Sequence, residues 1–172
     1  MAFNKTGTLS PYGAPVKISR TVANSVTITE MDSVKLASGF IALGTAGALV
    51  FGHVIAIGTS KGVGLNTTGA AGAEMGSFVG TFTTASDNQT VAMVKAEVDI
   101  SKFTLYSAEL SATIGTTTGS NLSGYRMDLS DEDTLDESTA ATTSAQYATW
   151  GVDPSNSARA IVNIYESQAF GL

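Results

Sequence analysis

The sequence predicts an all-β protein with minor helix: a β-barrel-like or β-sandwich-like body with an extended N-terminal arm. Three observations carry this. Glycine is abundant, at 18 residues, and threonine recurs throughout. That mixture disfavours helix, because threonine is stiff at χ1 and glycine weakens helix interiors. Short segments such as Val16-Lys17-Ile18-Ser19-Arg20 and Val26-Thr27-Ile28-Thr29 alternate apolar and polar residues, the period of a half-buried strand. Clusters of Gly, Asn, Asp and Ser separate such segments at short intervals. A chain of 172 residues reads as one body, and that size buries roughly 70% of its unfolded surface.

The arm is drawn over residues 1–20 and the body over residues 21–172. Residues 1–15 hold Pro11 and Pro15, with Phe3 and Tyr12 as isolated aromatics. Proline withholds a donor and disfavours helix. Ordering such a segment costs about 1–2 kcal/mol of backbone entropy per residue. Two readings fit: an arm that orders against a partner, or a frayed terminus. On the first, the contact residues are Phe3, Lys5, Tyr12, Lys17 and Arg20. The start of the chain has no apolar core and does not read as a signal peptide.

Val34-Lys35-Leu36 continues the strand pattern. Residues 36–60 carry no Asp, Glu, Lys or Arg, only His53 among titratable groups, which raises a membrane span as a candidate. Five glycines interrupt the run, and no basic loop flanks it. A hairpin fits better, with residues 40–43 and 48–57 as strands and Gly44-Thr45-Ala46-Gly47 as the turn. Residues 61–65 are short and Gly-flanked, and residues 66–76 read as a loop. Phe78-Val79-Gly80-Thr81-Phe82 reads as a strand and residues 85–89 as a turn. Residues 90–99 read as a longer strand, with Ala92, Val94, Ala96 and Val98 on its buried face. Residues 100–112 are the best place for a helix, since Phe103, Tyr106 and Leu110 fall near helical spacing. Residues 113–145 form a Ser/Thr-rich acidic insertion, with a strand within it at residues 124–129. Residues 146–152 and 158–165 are closing strands about the turn Asp153-Pro154-Ser155-Asn156-Ser157. No internal repeat occurs.

Charge and composition narrow the function. Charged residues make up 14% of the chain, against about 25% in an ordinary soluble domain. The net charge of −6 is concentrated in the second half. The sparse Lys and Arg provide no nucleic-acid footprint. There is no cysteine, so disulfides, thiolate metal sites and cysteine nucleophiles are excluded. The Asn-x-Ser/Thr matches at Asn4, Asn66, Asn88 and Asn121 are expected by chance in such a composition.

Catalytic motifs fail in turn. Gly58-Thr59-Ser60-Lys61-Gly62 matches a nucleophile-elbow string. That motif needs a following helix and a later histidine, and the lone His53 precedes the serine. Gly62-Val63-Gly64 is only a fragment of a dinucleotide fingerprint. His53, set among Phe51, Val54 and Ile55, reads as structural or surface-facing. Asp128, Asp131, Glu132, Asp133, Asp136 and Glu137 crowd ten residues. They lack the EF-hand pattern, because Leu135 replaces a ligand and the glycine is missing. A solvated loop, a patch facing a basic partner, or a weak calcium site remain open readings. The expectation is a non-enzyme without cofactor or metal.

Three stretches resemble the small capsid decoration, or cement, proteins of tailed bacteriophages. Gly52-His53-Val54-Ile55-Ala56-Ile57-Gly58 with Lys61-Gly62-Val63 looks like a barrel hairpin of that family. Residues 91–99 followed by Ile100-Ser101-Lys102-Phe103 are similar to its middle strand and connector. Trp150-Gly151-Val152-Asp153-Pro154 and Ser157-Ala158-Arg159-Ala160-Ile161-Val162-Asn163-Ile164 look like its closing hairpin. The resemblance implies a structural virion protein on the capsid exterior, present in the host cytoplasm during assembly. It would brace major capsid protein subunits, commonly as a homotrimer, with no membrane or nucleic-acid partner. The family supplies no catalytic residues, and the contact role of the five arm residues comes from composition alone. Two alternatives stand beside it: another β-rich virion component of tail or fibre, and a surface- or carbohydrate-binding module. The second would expose aromatics, for which Tyr12, Tyr125, Tyr147, Trp150 and Tyr165 are the candidates.

Overall fold

A computed structural model describes residues 3–9, 16–59, 81–91, 94–111, 123–141 and 146–165. Of these, 65% lie in strands and 3% in helix. In chain order the elements are β1 (Phe3–Thr8), β2 (Lys17–Thr21), β3 (Thr27–Thr29), β4 (Ser33–Ala37), β5 (Phe40–Leu43), β6 (Gly52–Thr59) and β7 (Thr81–Thr83). There follow α1 (Asn88–Val91), β8 (Val94–Asp99), β9 (Thr104–Leu110), β10 (Arg126–Leu129), β11 (Thr134–Ala141), β12 (Tyr147–Asp153) and β13 (Asn156–Ile164).

Two large sheets organise the chain. The first runs β1-β9-β11-β10-β12-β13, and an added β9–β13 pairing closes β9, β11, β10, β12 and β13 into a five-stranded barrel. β1 lies along the same edge of β9 as β11, because residues 106–108 pair with β13 on the other edge. The barrel interior holds Tyr106, Ala108, Met127, Leu129, Leu135, Tyr147, Ala160, Val162 and Ile164. The second sheet runs β2-β8-β6-β4-β5. Its outer strands approach through a parallel bridge between Val22 and Ile41, with the Ala23 N–H donating to the Ile41 carbonyl at 2.8 Å. A separate apolar core fills it, including Ile28, Val34, Ile41, Val54, Ile57, Val94 and Val98. β3 and β7 pair as a small ribbon, with Thr27 bonded to Thr83 and Thr29 to Thr81 through their hydroxyls. Asn88 in α1 is buried and ties Val22 to Val94 with its side-chain amide.

The structure corrects the sequence reading in four places. The Phe3–Thr8 part of the expected arm is a strand of the body, β1 paired with β9, while β2, where the alternation predicts a strand, pairs with β8 along its whole length. The isolated aromatic Phe3 reaches a core that no neighbouring residue announces. Residues 104–110 are strand β9 rather than helix, with Thr104, Tyr106, Ala108 and Leu110 buried at a spacing of two. Pairing on both edges overrides the weak helical spacing. The hairpin partner of β5 is β4, not β6. Ser38 and Gly39, both at positive φ, make the two-residue turn whose twist suits antiparallel strands. Part of the acidic insertion is strand β11, whose Leu135 and Glu137 point inward. The chain does turn after β5, as expected, but it passes β4 before β6 begins.

Candidate interaction surface

The two cores meet at a polar seam. β6 contributes His53, β4 contributes Ser33 and β12 contributes Tyr147, all fully buried. His53 Nδ1 lies 3.1 Å from the Met31 carbonyl and Nε2 lies 3.0 Å from the Tyr147 hydroxyl. A carbonyl only accepts, so Nδ1 carries the proton. Nε2 then accepts from Tyr147, and Tyr147 accepts from Ser33 Oγ at 2.8 Å. Phe3 packs on His53 with ring centroids 4.5 Å apart, and Tyr106 packs on it at 4.2 Å. Burial pushes the His53 imidazole down to about 4, partly offset by the Met31 bond and the Asp99 charge. Burial, with the nearby Asp99 carboxylate, also holds the Tyr106 phenol well above its ordinary range.

Asp99 anchors the adjoining corner. Its carboxylate accepts from the Ser101 N–H at 3.0 Å and the Thr104 hydroxyl at 3.0 Å, and Lys5 Nζ lies 3.6 Å away. These bonds fold residues 99–104 into the connection between β8 and β9. His53, Ser33 and Tyr147 thus resemble a relay, yet they face each other across a closed interface rather than a cleft. Ser60 lies outside the described residues.

The acidic run is split by the fold. Glu137 faces inward, and the Glu132 carbonyl accepts from the Ser33 N–H at 2.7 Å, joining the two sheets. Near this joint, burial raises the Asp32 carboxyl to about 7, with Glu132 and Asp133 adding to the rise and a bond from the Thr29 N–H opposing it. Among the described residues no group of three or more His, Cys, Asp and Glu is placed to hold a metal ion. Nor is any helix among them long and apolar enough to cross a membrane.

The proposed contact residues scatter. Phe3 is fully buried in the core of the first sheet. Lys5 is engaged with Asp99, and Lys17 pairs with Glu97 at 3.2 Å. Arg20 is exposed, its guanidinium donating to the neighbouring Ser19 carbonyl at 3.2 Å. Tyr12 lies outside the described residues.

Exposed apolar side chains gather elsewhere, around the β8–β9 connection. Phe103 is 57% exposed, Val16 50% and Leu9 39%. The Leu9 N–H donates to the Phe103 carbonyl at 2.7 Å, and the Ile100 N–H donates to the Val16 carbonyl at 2.9 Å. Leu9 and Val16 are therefore both fastened to this corner. Next to it, Asn163 Nδ2 donates to the Lys102 carbonyl at 2.8 Å and Asn163 Oδ1 accepts from the Trp150 indole at 2.7 Å. The helical spacing groups Phe103 with Tyr106 and Leu110, and nothing in its immediate sequence signals its exposure. No family model matches the chain, and no curated protein or solved structure does.

Proposed function

We propose that this protein is a non-catalytic structural component of a virion, binding the outside of a bacteriophage head and bracing neighbouring major capsid protein subunits. The supporting observation is the apolar corner formed by Leu9, Val16 and Phe103, flanked by Lys17 and Lys102. Contiguous exposed apolar groups with a charged rim favour a protein partner over solvent. Weak contacts of this kind gain strength when a symmetric shell repeats them, and a homotrimer would repeat them further. The test uses heads that lack the protein. Wild-type chain is expected to co-sediment with them and to delay heat-induced DNA release, while Phe103→Asp loses both effects without losing its fold by circular dichroism. Undiminished binding by a folded Phe103→Asp chain would sink the proposal.

A further inference from the structure

A second surface has the make-up of a ligand site rather than a contact face. Tyr125 and Arg126 at the start of β10, Thr149 and Trp150 in β12, and Tyr165 just after β13 line an open groove of about 300 Å³. Trp150 is 53% exposed. The register between β12 and β13 slips between Thr149 and Gly151, so Trp150 sits on a bulge that turns it outward. Its indole N–H is pinned by Asn163, which is itself held by the Lys102 and Ile164 carbonyls. The Arg126 guanidinium stacks over the Tyr165 ring, 4.3 Å from the centroid. Arg126 forms no ion pair among the described residues.

We propose that this groove binds an acidic saccharide, with one sugar ring stacked on Trp150 and its carboxylate paired with Arg126. A pyranose has an apolar C–H face that suits an aromatic plane and a hydroxyl rim that suits polar lining groups. The guanidinium fork matches a carboxylate in two parallel hydrogen bonds. The Trp150 plane is fixed by Asn163 before a ligand arrives, which lowers the ordering cost of binding. The Arg126 cation selects an anionic sugar over a neutral one. It also weighs against a proline-rich peptide, which needs aromatic planes but no cation.

Trp150 is the chain's sole tryptophan, so its fluorescence reports this groove alone. The full chain is titrated with tetragalacturonate, with neutral maltotetraose and with a proline-rich peptide. A saturable emission change with tetragalacturonate is expected, at least about tenfold weaker with maltotetraose and the peptide, and about tenfold weaker in Arg126→Ala. Trp150→Ala, followed by calorimetry, should abolish binding with an unchanged melting temperature. Trp150→Phe, which keeps a ring, should retain part of it. Failure of tetragalacturonate to saturate, equal binding by a folded Arg126→Ala chain, or preference for the peptide overturns the inference. Head binding is read separately, by sedimentation of the Arg126→Ala chain, so the two proposals fail independently.

Discussion

Tyr147 holds two otherwise unsatisfied groups at once, since its hydroxyl donates to His53 and accepts from Ser33. Tyr147→Phe keeps the ring and removes both bonds, leaving a ring nitrogen and a hydroxyl buried without their partner. The expected cost is about 1–3 kcal/mol, measured by urea unfolding. Asp32 predicts a change of the opposite sign. Its folded value of about 7 exceeds the ordinary 3.8, so folding favours the protonated acid. Its contribution to stability is complete below 3.8 and is lost as pH rises towards 7. Asp32→Asn imitates the protonated form and keeps an oxygen for the Thr29 N–H. The variant should exceed wild type by about 1–2 kcal/mol at pH 8, once solvent screening is allowed for, and match it below about pH 4. A stability difference independent of pH would refute the burial account. His53 shows the reverse dependence. Folding favours its neutral ring, so stability falls as pH drops from 6.5 towards 4.

Among the elements, β6 and β8 approach so closely that Gly52 has no room for a side chain. A Cβ there would sit 2.3 Å from the Asp99 carbonyl oxygen and 2.6 Å from a Val98 methyl. Gly52→Ala must therefore spread the two strands at the corner that also positions Asp99, and a loss of about 1–3 kcal/mol is expected by thermal melting. An unchanged melting temperature would show that the approach is looser than described. The strands most legible in the sequence were those with period-two alternation and short-range turns. β8 buries Val94, Ala96 and Val98, the face expected of it, and β12 and β13 flank the expected Asp153 turn. The Asp153 carboxylate is held low there by bonds from Ser107 and Ser155. β9 and β11 were less legible because their partners lie far along the chain. β11 also places a carboxylate, Glu137, where alternation calls for an apolar residue. The groove was only partly legible. Trp150, Tyr125 and Tyr165 stood out as aromatics, but Tyr147 was grouped with them and is buried. Arg126 entered only once β10, β12 and the end of β13 were brought together.

At the scale of the whole molecule, the seam makes two separately filled cores into one cooperative body. Phe3 is the residue most exposed to that claim, because its ring touches His53 of the second sheet and Tyr106 and Tyr147 of the first. Lys5, two residues on, adds its ammonium to the buried Asp99 at the end of β8. Removing the Phe3 ring opens a cavity at the junction, for which about 3–5 kcal/mol is the usual cost. A chain of this size loses roughly 2–4 °C per kcal/mol, so Phe3→Ala should melt about 10 °C below wild type. Because the ring serves both sides, the wild type should show one calorimetric transition, and the variant one transition displaced as a whole. An N-terminal segment standing apart from the body would give no displacement. Two wild-type transitions, of which Phe3→Ala moved only one, would mean that the sheets unfold independently and that the hydrogen bonds among His53, Tyr147 and Ser33 do not couple them.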